Sequence, residues 1–515
     1  MNKPLALSRL GLVCMGSLGL WLGFPNDLLY VPPLILCWPL ALFFLGHIEE
    51  TPKSAWRWGF CLSMLGLSAS LYWLMLPIHE VGGLPWILAA ICAFAVPAIL
   101  AAFFALFAVG IASTKHLPPV RHALFAAILW LVLEVVQAKV LDFPWVCVAG
   151  GLVGWPILVQ GAVLIGSFGV SFVAVFALLL CTPSHITKQT ISLGLVLWLG
   201  ILGFGWYRLH TNPVTIPHDA NSIGVLFVEG NADQNTKWTP SYQRAIVEKH
   251  RKLTLSGLSA SSIPVSLIVW SETCIPFFFD HHPHLTALVR DTAKKSHTPL
   301  LFGTPGLKEI GTKRLIYNRA ILLDENGATA GYADKEHLVP FGEYVPAVFD
   351  TPFFHKLLQG IGYSKGEHTS PLRLHGIAAG ILICYEGIFQ ELAQKRVASG
   401  ANIFVDLSND AWFGATAAAS QHLYLKALRS IEQNRWLLRG TNTGISAVID
   451  HVGRIVAHGN RFTEEAFTAQ ARLTKERSFF HKTYGMQGIL FIVLVGTGIF
   501  LAIVAKRTHR SALLR

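Results

Sequence analysis

Charge is what this chain lacks most. Only 14% of its 515 residues are Asp, Glu, Lys or Arg, and its mean hydropathy is +0.48. A water-soluble domain carries about 25% charged residues. The shortfall excludes an ordinary soluble protein and directs attention to long apolar runs. Structural cysteine patterns are also missing. The eight cysteines form no CxxC and no Cys/His spacing, so nothing points to zinc or to a disulfide framework. Cys14, Cys37, Cys61, Cys92, Cys147 and Cys181 fall in or beside apolar runs, where thiols pack as small hydrophobes. Only Cys274 and Cys384 lie in polar sequence. No internal repeat and no low-complexity linker is present. The formal net charge is +11, yet no dense Lys/Arg tract with interleaved aromatics occurs, which argues against a nucleic-acid partner.

What is there is apolar helix. From Leu5 to Tyr207 short polar breaks punctuate seven expected spans, at about 6–24, 28–46, 58–77, 84–113, 121–141, 157–182 and 190–207. Each is of the length needed to cross roughly 30 Å of hydrocarbon. The first lacks a small-residue cleavage site and reads as an anchor, not a signal peptide. Residues 211–475 hold most of the acidic side chains and read as a water-facing domain of ordinary size. A last span, about 487–505, leads to the basic tail Lys506-Arg507-Thr508-His509-Arg510. The expected domains are therefore 1–210, 211–475 and 476–515.

Charge placement gives the orientation. Lys3, Arg9, Lys53, Arg57, Lys115, Arg121, Lys188, Lys506, Arg507, Arg510 and Arg515 collect on one side. The opposite loops, such as Phe24-Pro25-Asn26-Asp27 and His79-Glu80-Val81-Gly82-Gly83, carry acid but no Lys or Arg, with Lys139 the lone exception. By the positive-inside rule the basic side is cytoplasmic. The polar domain then faces outward, into the periplasm of a Gram-negative cell, and topology accounts for much of the +11.

Within 211–475, short buried strands are expected at Ile223–Val228, Val265–Trp270, Leu300–Gly303, Arg319–Leu323, Ile377–Ile383 and Ile403–Leu407. Helical patterns fall between several of them, at 240–258, 284–296, 387–399 and 419–433. That alternation argues for an α/β layered domain. Glu272, Lys335 and Cys384 stand at or near strand ends. Held together, they suit acyl transfer: a thiolate nucleophile, a carboxylate to take its proton, and an ammonium to stabilise the oxyanion. Taken singly, each has a plainer reading, as a packed thiol or a solvated loop charge.

The surrounding residues carry more. Trp270-Ser271-Glu272-Thr273-Cys274-Ile275-Pro276, Lys335-Glu336-His337-Leu338-Val339-Pro340-Phe341-Gly342-Glu343-Tyr344-Val345-Pro346 and Ile383-Cys384-Tyr385-Glu386 occur in that order. Ser408-Asn409-Asp410-Ala411-Trp412-Phe413-Gly414 and Arg439-Gly440-Thr441-Asn442-Thr443-Gly444 follow. With the flanking spans, the chain resembles the apolipoprotein N-acyltransferases over its whole length, and the Cys384 motif is shared with nitrilases.

The resemblance implies a multi-span α-helical membrane protein with an inserted α/β nitrilase-type domain, an α-β-β-α sandwich. It implies a ping-pong reaction in an inner membrane, without cofactor or metal. The acyl donor would be a phospholipid, in the first place phosphatidylethanolamine. The acceptor would be the N-terminal amine of a diacylglyceryl-cysteine apolipoprotein. Cys384 would be the nucleophile and Glu272 the base. Lys335, with the Tyr385 N–H, would hold the oxyanion, and Glu343 would orient Lys335 or assist. Glu386 belongs to the same nucleophile motif. Trp238 matches a position on a substrate-facing loop; its other reading is a surface aromatic packed on that loop.

Some positions depart from the family pattern. Cys274 replaces a usual alanine, and pairing with Cys384 in an oxidising compartment would silence the site. Ala418 and Ala419 replace Gly-Pro, Glu229 replaces Gln, and Gln137 replaces a common Arg. Intramembrane Glu134 reads as structural or interfacial ahead of a proton path. Loops 340–365 and 410–422 are expected lids. A membrane-anchored nitrilase-type amidase is the competing enzyme reading. A transporter or scaffold reading has little support, since the spans hold little polarity beyond Glu134 and neither role needs the triad.

Overall fold

The computed structural model describes residues 3–80, 82–214, 219, 221–234, 236–347, 351, 362–367 and 370–513. Among these, six helices are long and apolar enough to cross a membrane: Pro52–Glu80, Trp86–Thr114, Pro119–Lys139, Ala162–Leu180, Lys188–Thr211 and Phe479–Thr508. Their starts follow from local chemistry. Pro52 and Pro119 sit in first turns, where no N–H is needed. Thr51 caps one helix by accepting from the Ser54 N–H at 3.2 Å, and Thr187 closes a capping box with Thr190.

A further apolar helix, Lys3–Gly23, precedes them. The span expected over 28–46 takes another form. Pro32–Leu36 is a 3-10 turn and only the 12 residues Cys37–Ile48 are α-helical. Pro32 and Pro33 cannot donate to a continuing helix. Twelve helical residues alone reach only about 18 Å, yet with the 3-10 turn the segment returns along the first helix, so that Arg9 pairs with Glu49 at 2.5 Å. The 3-10 turn packs on the end of the first helix. A Cβ at Gly23 would lie 1.9 Å from the Ile35 nitrogen, so only glycine permits that approach.

Two six-stranded sheets make the polar domain. The first holds β1 (Ser222–Glu229), β2 (Leu267–Trp270), β3 (Leu300–Ile310), β4 (Lys313–Leu323), β5 (Thr329–Asp334) and β12 (Glu465–Arg472). Its order is β12-β1-β2-β3-β4-β5. The second holds β6 (Leu372–Leu374), β7 (Ile377–Ile383), β8 (Ile403–Ser408), β9 (Leu437–Thr441), β10 (Ala447–Ile449) and β11 (Ile455–His458), in the order β11-β10-β9-β8-β7-β6. The central strands β1-β2-β3 and β7-β8-β9 run parallel.

Period-two alternation decides the layers. Val225, Phe227, Val269 and Leu301 point between the sheets, against Ile381, Ile383, Val405 and Leu438. Leu226, Val228, Ile268 and Trp270 point outward onto helices Pro240–Ala260 and Pro283–Ser296. The outer face of the second sheet meets helices Gln390–Ala398 and Ala418–Gln433 through Leu382, Phe404 and Leu437. This is an α-β-β-α sandwich inserted between membrane helices.

The outer face of the second sheet has no apolar core separate from the membrane helices. One buried cluster runs from Val13 and Leu20 through Trp38 and Trp130 to Leu382, Phe404 and Leu428. Gln421 fastens the two halves. Its Oε1 accepts from the indoles of Trp73 at 3.0 Å and Trp145 at 2.7 Å, and its Nε2 donates to the carbonyls of Pro25 and Ser70. The segment 410–422, expected as a lid, is thus fixed at its C-terminal end, while Asp410 is buried at the other. Of the other expected lid, 348–350 and 352–361 lie outside the described residues.

Glu134 is 2% exposed, and its Oε1 accepts from the Trp130 indole at 2.9 Å and the Val148 N–H at 2.8 Å. Gln137 donates to the carbonyls of Phe143 and Val146. Both side chains brace the turn 143–148 that leaves the membrane helix, which is a structural role.

Candidate active site

Glu272 follows β2 and is 6% exposed. The neighbouring strand lies unusually close to it, because a Cβ at Gly303 would stand 2.7 Å from the Glu272 Cα and 2.5 Å from the Thr273 nitrogen. Glu272 Oε1 accepts from the Asn318 amide at 2.7 Å, while Oε2 has no hydrogen-bond partner. Burial, reinforced by the nearby Glu343 carboxylate, raises the Glu272 pKa above the usual carboxylate range; Lys335 opposes the rise.

Lys335 follows β5 and is 1% exposed. Its Nζ is 2.9 Å from the Glu343 carboxylate and 3.8 Å from Glu272 Oε1. Burial works against its charge, but the two carboxylates outweigh it and hold the ammonium well above the usual lysine range. Glu343 also accepts from the Val339 N–H at 2.8 Å and the Asn318 amide at 3.1 Å. Asn318 on β4 therefore spaces the two carboxylates. No sequence motif marked it, since its partners lie 25 and 46 residues away.

Cys384 begins a 3-10 turn at the end of β7 with φ of 56°. A left-handed backbone at a non-glycine residue is strained, and such strain accumulates at functional sites. Burial and the Glu272 charge push the thiol up to about 12, with Lys335 and Lys426 opposing. At rest it is a thiol, and attack by this sulfur would need a base to take its proton.

The strained turn is held from several sides. Glu386 accepts from the N–H groups of Ile383 at 2.8 Å, Glu336 at 2.7 Å and His337 at 3.0 Å. It thereby clamps the Cys384 turn to the residues beyond Lys335. Arg429 donates to the Ile388 carbonyl and pairs with Glu432 at 2.6 Å. The Tyr385 hydroxyl donates to the Asp142 carbonyl at 2.8 Å, and its ring lies 4.9 Å from that of Phe389. The Tyr385 N–H lies in the first turn of the 3-10 element, where backbone donors lack partners within the helix.

Behind Cys384 is a buried polar network that sequence reasoning did not assign. Asp406 takes Lys426 at 2.5 Å, and Arg439 bridges to Asp410 at 2.7 Å. His422 Nε2 lies 3.2 Å from the Cys384 carbonyl, and its Nδ1 lies 3.2 Å from Asp410 Oδ1 and 3.3 Å from Arg439 Nη2. Burial and the Lys426 charge push this imidazole down to about 3, so it is neutral. Asp410 and Arg439 sit in quoted motifs, so the signal existed; Lys426 lies mid-helix with no motif around it.

Trp238 is 41% exposed on the loop after β1, beside Lys237. Cys274 is a free, buried thiol that donates to the Gly303 carbonyl at 3.5 Å. It belongs to the core between the first sheet and its helices, whereas Cys384 packs between the sheets. A sheet separates the two sulfurs, and no bridge joins them.

Known proteins are similar to this chain. The apolipoprotein N-acyltransferase N-terminal domain matches residues 16–180, and the carbon-nitrogen hydrolase family matches residues 231–479. An apolipoprotein N-acyltransferase from Geobacter metallireducens is 32% identical over 466 residues, covering 87% of each chain. One from Pseudomonas aeruginosa PAO1 is 32% identical over 476 residues, covering 86% of this chain and 89% of that one. A solved carbon-nitrogen hydrolase from Helicobacter pylori G27 covers 48% of this chain and 89% of its own, at 16% identity and a TM-score of 0.38. Near-full-length relatives and the succession of the two domains lead to one conclusion: the chain belongs to the apolipoprotein N-acyltransferase family.

Proposed function

We propose that this membrane enzyme moves an acyl chain from a phospholipid, in the first place phosphatidylethanolamine, to the N-terminal amine of a diacylglyceryl-cysteine apolipoprotein. This completes the lipid modification of the acceptor. The supporting observation is a lysine, 1% exposed, between two carboxylates, one of them 3.8 Å away and adjoining a strained cysteine turn.

In the first half-reaction Glu272 takes the Cys384 proton and the sulfur attacks the ester carbonyl. The carbonyl oxygen gains negative charge, which Lys335 and the Tyr385 N–H stabilise. The C–O bond breaks, the proton passes from Glu272 to the departing alkoxide, and a lysophospholipid leaves. In the second half-reaction the acceptor amine attacks the thioester. Glu272 takes its proton, the C–S bond breaks, and the thiol is restored as the amide forms. Glu343 holds Lys335 in place throughout. Trp238, exposed on its loop, faces the lipid substrates.

We place residues 1–210 as the membrane half, 211–475 as the periplasmic catalytic domain, and 476–515 as the final helix and cytoplasmic tail. The distribution of Lys and Arg supports this orientation in the inner membrane. A nitrilase-type amidase with water as acceptor is disfavoured, because the relatives of matching length carry the acyltransferase name and this chain matches the acyltransferase N-terminal domain as well as the hydrolase domain.

The test is incubation of the purified protein in detergent with a phospholipid bearing a labelled acyl chain. The expected result is a hydroxylamine-sensitive adduct on the native protein that is absent from Cys384→Ala. No adduct on folded protein with reduced Cys384 would overturn the donor assignment.

A further inference from the structure

Lys237 is a buried lysine that the steps above do not use. It is 2% exposed, and its ammonium donates to the Thr273 hydroxyl at 2.9 Å. Thr273 directly follows Glu272 and has a left-handed backbone, φ 43°. A β-branched residue is costly in that region. The turn that aims Glu272 therefore needs holding, and the lysine grips the side chain at its centre.

The lysine is itself well anchored. Its N–H donates to the Asp233 carbonyl at 3.0 Å. Ala232 exchanges two bonds with the Asn442 amide, at 2.9 and 2.8 Å, and Gln234 accepts from Asn409 at 2.7 Å. Its Nζ lies 5.2 Å from the centroid of the Trp238 ring. The loop after β1 thus reaches from the exposed Trp238, through Lys237, to the base.

We propose that Lys237 is a positioning residue for the base: through Thr273 it aims Glu272, and its positive charge balances that carboxylate. The inference rests on the reading of Glu272 as base. The groups facing Glu272 are Lys335 and Glu343 beyond β5, Tyr363, Asn318 on β4, Lys237 on the loop after β1, and the Cys384 thiol from the second sheet. Glu343 repels its negative charge, while the two lysines favour it. Burial pushes Lys237 down to about 8, so its charge persists at neutral pH.

The experiment measures single-turnover acylation of Cys384 against pH, using full-length protein in detergent and a phospholipid with a labelled acyl chain. Native protein is compared with Lys237→Met, Lys237→Arg, Thr273→Val and Glu272→Gln. Lys237→Met is expected to slow the plateau by about tenfold to a hundredfold, as misplacement of a reacting group does. It also moves the acidic limb upward by about half a unit or more, because an opposing charge is lost. Lys237→Arg restores the limb. Thr273→Val slows the plateau with the limb unmoved, which tests the contact even where Lys237→Met does not fold. An unmoved limb in folded Lys237→Met, or a native rate in Thr273→Val, overturns the proposal. A native rate in Glu272→Gln instead overturns the assignment of the base, which separates the two failures.

Discussion

The Tyr385 hydroxyl donates to the Asp142 carbonyl at 2.8 Å, across 243 positions of sequence. The turn that carries Cys384 is therefore tied to the loop that leaves the membrane helix Pro119–Lys139. Tyr385→Phe keeps the ring packed on Phe389 and removes only this bond. The expected loss is about 1 kcal/mol of stability, read by thermal unfolding in detergent, together with slower thioester formation. Unfolding and acylation both at native values would show that the tie is idle.

Glu272→Gln keeps the shape of the side chain and its acceptor for Asn318, so the fold is expected to hold. Acylation of Cys384 should fall by about 10²–10⁴-fold, the range for losing a general base. A base at Glu272 would work only when ionised. Burial raises its pKa, so the rate should fall on acidification while still above the ordinary carboxylate range. A flat rate through that range would exclude Glu272 as the group that titrates.

Lys335 carries a charge that two buried carboxylates require. Lys335→Met strands Glu343 and Glu272, and the expected cost is about 3–5 kcal/mol, the range for breaking a buried pair from one side. Adding Glu343→Gln should recover much of that stability and none of the acylation. Denaturant midpoints of the single and double variants, with the adduct assay alongside, separate folding from chemistry. Equal midpoints would show that the pair is not coupled.

Cys274 lies on the far side of the first sheet from the space between the sheets. A thiol count on oxidised membranes should find Cys274 and Cys384 both reduced, and Cys274→Ala should acylate at the native rate. A peptide map containing a Cys274–Cys384 bridge would refute this separation.

The sequence is most readable where a signal is local. Glu272, Lys335 and Cys384 each sit in a run of distinctive neighbours, and β1, β7 and β8 are rich in β-branched and aliphatic residues. Strands β5, β6, β9, β10, β11 and β12 were not expected. Thr329–Asp334 and Leu372–Leu374 are edge or near-edge strands, short and weakly apolar, stabilised by partners and not by propensity. The hairpin of β3 and β4 runs past the buried core into polar residues such as Lys308 and Arg314, so hydrophobicity alone cut both strands short. In the site, Asn318, Lys426 and His422 were illegible for a related reason. Their partners lie on other strands and helices, and only the assembled sheets bring them together. The membrane half misled at 28–46, where hydropathy counted residues but the paired prolines set the helix length.

Gln421 uses both of its carbonyl lone pairs and both amide protons on groups from the membrane half. Such an amide acts as a rivet. Rocking of the sandwich as a rigid body would shear all four bonds at once, in a setting too dry for water to replace them. Access of lipid substrates then cannot depend on rocking of the sandwich as a whole. A fragment expressed without its helices would present this torn joint, and the apolar cluster around it, as a raw face prone to aggregation.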